Sequence, residues 1–122
     1  MESKRIKRIN SLLKEVISEV IRRDVQNPHI SQFLTITGVD VAKDLHHAIV
    51  HVSVMGPDLE KNQTIEALNN SAGYISSLAS KQVVLRFFPS LKFKLDTSLD
   101  EHMRIEELIQ DIQQKRDEQQ SS

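Results

Sequence analysis

Three histidines, His46, His47 and His51, lie close together in a chain of 122 residues that has no cysteine. In an alternating segment His47 and His51 fall on one strand face, which is the beginning of a metal site but not a complete one. Ile49 stands between them on that face, and no carboxylate or cysteine is spaced to supply further ligands. They read as surface histidines, with no metal and no other cofactor expected. Covalent and phosphoryl chemistry are no better provided for. The chain has no phosphate-binding loop, no metal-binding His pair on a helix and no nucleophile elbow, so neither an enzyme nor a small-molecule substrate is expected.

What the sequence does concentrate is charge. The net charge is −1, yet residues 1–23 hold seven Lys/Arg against three acids, and residues 69–96 hold four against one. Residues 24–68 and 97–122 are each acidic, at two basic residues against six acids and three against seven. Bulk composition does not point to a polyanion-binding protein; the segregation allows one basic face.

The elements that must position these charges follow from hydrophobic spacing. Ile6, Ile9, Leu12, Leu13, Val16, Ile17, Val20 and Ile21 form a broad apolar stripe on a first helix. Lys4, Lys7, Arg8 and Arg22 lie opposite it, where Glu15 and Glu19 split the positive surface and leave Lys4–Arg8 as the stronger patch. Asn27-Pro28 ends that segment. Residues 33–41 are β-branched and aromatic, and their inward set shifts from Leu34 and Ile36 to Val39 and Val41 across Gly38, which predicts a bulge. Residues 47–55 alternate cleanly with Ala48, Val50, Val52 and Val54 on one face. The short Lys43–His46 connection makes the two strands an antiparallel hairpin.

After Gly56-Pro57, Ile65, Leu68, Ala72, Ile75, Leu78 and Ala79 keep helical spacing straight through Gly73. This predicts one bent helix or two abutting ones, with Gly73 as the point of interest. Pro89 keeps the next strand from starting earlier, and in Leu91–Leu95 the apolar residues face a core while Lys92 and Lys94 face away. Ser98 with Glu101 forms a capping-box pattern that opens a last helix through Met103, Ile105, Leu108, Ile109 and Ile112. Beyond Ile112 there are no apolar anchors. Residues 1–112 therefore read as a single domain and 113–122 as a disordered tail. No run approaches a membrane span, and the N-terminal apolar residues repeat at helical spacing instead of forming a signal core, so a soluble cytoplasmic protein is the expectation.

The order of elements, and above all Phe88-Pro89-Ser90-Leu91-Lys92-Phe93-Lys94-Leu95-Asp96-Thr97-Ser98-Leu99 followed by Met103-Arg104-Ile105-Glu106-Glu107-Leu108-Ile109, resemble the ribosome-binding factor A family of bacterial small-subunit assembly factors. The resemblance spans most of the chain. It implies an α+β, type II KH-like fold in the order α-β-β-α-(bend)-α-β, with a three-stranded sheet and a C-terminal helix. Ordinary KH domains clamp a nucleic-acid backbone with a GxxG loop, which is absent here. The family has an Ala-x-Gly bend instead, matched by Ser71-Ala72-Gly73 with serine in place of the first alanine. Ser76 and Asn27-Pro28-His29 also depart from the family pattern, and both departures remove positive charge.

By that resemblance the protein is a monomeric ribosome biogenesis factor. Its partners would be the small (30S) ribosomal subunit and its 16S rRNA, where it would assist late maturation and rRNA processing without catalysing a reaction. The implied RNA-binding residues are Lys4, Arg5, Lys7 and Arg8, a second basic group of Lys81, Arg86, Lys92 and Lys94, and the bend Ser71, Ala72 and Gly73. The alternatives are a general KH-like RNA-binding module and a protein-interaction domain that uses the C-terminal helix.

Overall fold

The first helix is set by its apolar stripe and closed at its start by a serine. The computed structural model describes residues 3–120 apart from Gln32 and the side chains of Leu99, Asp100 and Gln120. Helix α1 spans Lys4–Asp24, and Ser3 Oγ accepts the Ile6 N–H at 3.2 Å, which satisfies one of the orphan donors of the first turn. Leu13, Val16, Ile17, Val20 and Ile21 are buried, whereas Leu12, at the edge of the stripe, is exposed.

Strands β1 (Leu34–Val41) and β2 (His47–Val54) pair antiparallel, and β3 (Ser90–Leu95) pairs parallel to β2, giving the sheet order β1-β2-β3. The crossover between β2 and β3 is made by helices α2 (Asp58–Asn70) and α3 (Ala72–Ser80). The whole is the α+β, KH-like order expected: α1-β1-β2-α2-α3-β3, followed by α4 (Ser98–Gln120). Helices α1, α2 and α3 cover one sheet face. The core between them joins Leu13, Ile17 and Val20 to Val50, Val52 and Phe93, and these to Leu68 and Ile75, all at or near zero exposure. Each such large side chain contributes about 1.5–3 kcal/mol by leaving water.

Thr64 is the polar exception in this core. Its Oγ1 accepts the Ser31 N–H at 3.2 Å and lies within hydrogen-bond distance of the Glu60 and His29 carbonyls, pinning the segment after α1 to α2. At the turn into α2, Gly56 has φ +148°, a backbone conformation that a side chain strains, so that position requires glycine.

Two local expectations are corrected. The bulge lies where predicted, but the extra residue is Thr37, since Ile36 pairs with Val52 and Gly38 with His51. The two abutting helices are found, but the break between them is Ser71 (φ −98°, ψ 4°) and Gly73 lies inside α3. A fresh helix start is made there because Ser71 closes α2 with its own N–H on the Ala67 and Leu68 carbonyls, while its C=O accepts the Ile75 N–H. Helix α4 runs past Ile112 to Gln120. Gln, Glu, Lys and Arg are good helix formers even where nothing packs on them. Every described side chain from Glu101 to Gln119 is exposed, so α4 projects from the domain with its apolar side uncovered.

The free edge of β3 is closed by a side chain. Asn69 Oδ1 accepts the Phe93 N–H at 2.8 Å and Asn69 Nδ2 donates to the Phe93 carbonyl at 3.1 Å, as a neighbouring strand would. Asn69→Leu removes both partners from partly buried backbone groups, so the variant is expected to lose roughly 1–3 kcal/mol, read as a lower urea midpoint at unchanged m.

Candidate nucleic-acid interface

The α1 N-terminus carries Lys4, Arg5, Lys7 and Arg8, all exposed, with no acid in the first turn. Cations at the positive end of a helix dipole are locally unfavourable, whereas an anion there is favoured. Among the described residues none of the four is held in an ion pair. Their place in the molecule is fixed from two turns further on, where Asn10 Oδ1 accepts the Val41 N–H at 2.9 Å. That bond sets the first half of α1 against the hairpin end of β1.

The hairpin is closed by Ala42 N–H on the His47 carbonyl (2.8 Å) and Leu45 N–H on the Ala42 carbonyl (2.9 Å), with Leu45 in the left-handed region at φ 62°. The Asp44 carboxylate accepts the His46 N–H at 2.9 Å. Ser90 N–H then donates to the His46 carbonyl at 2.8 Å, bringing the segment between α3 and β3 beside the hairpin. This segment begins with exposed Lys81 and carries exposed Arg86. The Arg86 guanidinium lies over the Phe87 ring at 5.6 Å, and the His46 ring is 6.0 Å from it at an interplanar angle of 43°. The α1 cations, the hairpin and Arg86 thus share one end of the domain.

Lys92 and Lys94 point from the uncovered sheet face, in register with Ile49 and His51. They face polar company: His51 Nε2 is 2.9 Å from Asp40 Oδ2, and the bulge residue Thr37 donates its hydroxyl to Asp96 Oδ2 at 2.7 Å. Asp96 also takes the Ser98 N–H (3.0 Å) and Ser98 hydroxyl (2.7 Å) on its other oxygen. The Ser98 hydroxyl, Thr37 and the Ser98 backbone hold the Asp96 carboxyl down from 3.8 to about 2. The start of α4 is therefore organised by Asp96, with Thr97 C=O accepting the Glu101 N–H at 2.9 Å. The capping box expected at Ser98 does not form there, because Ser98 is already helical.

Ser71, Ala72 and Gly73 stand elsewhere, one turn beyond Asn69 and so beside the middle of β3. Gly73 does not take positive φ, and a Cβ built there meets nothing within 4 Å. The glycine is not needed for the bend. The surface over it is open.

The structure thus gathers Lys4, Arg5, Lys7, Arg8 and Arg86 at the hairpin end, places Lys92 and Lys94 on the open sheet face, and keeps Ser71–Gly73 at the β3 side. Sequence reasoning passed over Asp40, Asn69 and Phe87. The first two show only through tertiary pairing. Phe87 left a signal, since side chains of adjacent residues in an extended run before a proline point apart, so Phe87 and Phe88 cannot both reach the core. Among the described residues no three His, Asp or Glu gather as a metal site, and no helix is long and apolar enough to cross a membrane.

The family pattern of ribosome-binding factor A matches residues 5–109. The chain is 53% identical over 120 residues to ribosome-binding factor A of Protochlamydia amoebophila, covering 98% of this chain and 92% of that one. Its fold is similar to the crystal structure of ribosome-binding factor A from Thermus thermophilus, with a TM-score of 0.65 at 21% identity, over 74% of this chain and 94% of that one. It is similar also to a homology model of the Thermus thermophilus protein fitted into an electron cryo-microscopy map of a 30S complex, with a TM-score of 0.60 at 20% identity, over 72% and 91% of the two chains.

The lowered Asp96 carboxyl makes one local prediction. A depressed folded value contributes stability that is complete above the ordinary carboxylate range and disappears as pH falls from about 3.8 through about 2. Asp96→Asn is expected to speed amide exchange in the first turn of α4 at neutral pH, with parent and variant converging near pH 2. Parallel pH curves would mean that the carboxylate charge is not used.

Proposed function

This chain belongs to the ribosome-binding factor A family, and on that footing we propose that it binds the 30S subunit through its 16S rRNA during late maturation and rRNA processing. It does so as a monomeric cytoplasmic factor that acts by binding and not by catalysis, with residues 1–112 as the binding domain. The observation that carries the reading is the α1 N-terminus, where four exposed cations on the positive end of a helix meet Arg86 at the hairpin end of the domain. Such a surface favours phosphates. The relative fitted into a 30S map supports the choice of partner. In this reading Lys81, Lys92 and Lys94 add phosphate contacts, and the open surface at Ser71-Ala72-Gly73 is a second point of close approach to RNA.

Changing Lys4, Arg5, Lys7 and Arg8 together to glutamine keeps helix propensity and removes charge alone. In sedimentation with small subunits the variant is expected to bind more weakly. Its log–log salt slope should flatten by up to about 0.7–0.9 for each phosphate that is no longer neutralised. Unchanged affinity and slope would sink the assignment.

Gly73 supplies an independent test. In a helix with open space at its Cβ, Gly73→Ala is expected to hold or raise stability, by up to about 1 kcal/mol. Subunit binding should fall for alanine and fall further for Gly73→Leu at nearly the same melting temperature. If both variants bind like the parent, the bend is architecture only.

A further inference from the structure

The segment between α3 and β3 ends in two phenylalanines with opposite fates. Phe88 packs against the core and Pro89 behind it is buried, whereas Phe87 keeps 61% of its surface in water. An isolated exposed apolar residue needs no explanation. Phe87 is not isolated in character, because its ring is flanked by Arg86 at 5.6 Å and His46 at 6.0 Å, two planar groups that stack on aromatic faces.

The His46 flank is held by backbone. His46 is fixed by the Asp44 carboxylate on its N–H and by Ser90 on its carbonyl, and Phe87 is tied between Arg86 and the anchored Phe88-Pro89. The ring therefore lies between a hydrogen-bonded hairpin and the packed Phe88-Pro89, at the end of the domain where the α1 cations lie. Lys43 and His47 are exposed on the same hairpin, as is Asp44, whose carboxylate accepts the His46 N–H.

A planar apolar ring amid cations matches a polyanion that also offers planar apolar faces. We propose that Phe87, flanked by Arg86 and His46, is a stacking platform for one unpaired RNA base, with the neighbouring cations holding the adjoining phosphates. The base must be unpaired because inside a duplex both of its faces are already covered by its neighbours. This deepens the reading of the protein as an RNA-contacting factor and rests on it for the identity of the RNA.

The test compares the full chain with Phe87→Leu, Phe87→Met and Phe87→Trp. Two probes are used: a fluorescently labelled 12-nucleotide single-stranded oligoribonucleotide, free or annealed to its complement, and purified small subunits in sedimentation. Leucine and methionine keep an apolar side chain without the ring, so either one suffices if the other folds poorly, as judged by its melting temperature. The expected result is a loss of single-strand and subunit affinity of about 5- to 100-fold for both, near-parent affinity for tryptophan, and an unchanged salt slope, since no charge is removed.

Parent-like single-strand binding by the leucine and methionine variants overturns the proposal. So does an equal loss on single strand and duplex. A loss on subunits alone assigns Phe87 to a protein contact and overturns it as well. If the parent protein fails to sediment with subunits, the proposed function falls, and the oligoribonucleotide arm still decides the platform.

Discussion

The parallel pairing of β2 with β3 is the constraint on which the rest of this structure depends. A parallel neighbour cannot be reached by a tight turn, so the chain must leave β2, cross the sheet through α2 and α3, and return to the end from which β2 began. One end of that ladder is the Ser90 N–H on the His46 carbonyl, which lays the Lys81–Pro89 segment against the hairpin. Its other end is the Asp96 N–H on the Val52 carbonyl at 2.7 Å, which carries Asp96 to the Thr37 bulge and so sets the start of α4. Both polar assemblies are products of a single strand register.

The same ladder separates charge. The basic α1 N-terminus and Arg86 share the hairpin end, and α4, with its many acids, departs from the other end of β3. Six strand residues span roughly 20 Å, more than twice the Debye length of about 8 Å at physiological salt. A chain with net charge −1 in this way keeps the acids of α4 away from its positive end.

Helices cover one face of the sheet and none of the other. The open face is stable in water because its residues are Thr35, His47, Lys92, Lys94 and their like, and its edge is blunted by the Asn69 amide on Phe93. The Thr37 bulge serves this face also. By inserting one residue it keeps Val39 and Val41 inward while turning the Thr37 hydroxyl to Asp96.

The sequence by itself determined the elements and their faces, because burial imposes a period. The α1 stripe, the alternation of β2 and the Leu91–Leu95 pattern each admit one amphipathic solution, and the Phe88–Ile109 motif carried the family with them. Local rules were less decisive where two residues could do the same work. Glycine drew attention at positions 38 and 73, yet the bulge falls on Thr37 and the helix break on Ser71, because neither needs a left-handed backbone. Ser98 looked like the cap of α4, but it lies inside the helix, and the Asp96 carboxylate takes its N–H and hydroxyl. Only the tertiary structure decided that Arg86 joins the α1 cations while Lys92 and Lys94 face another way, and that Phe87 stands beside His46. Those juxtapositions span 30 residues or more of chain. They come from how the strands register, which no periodicity in a single segment encodes.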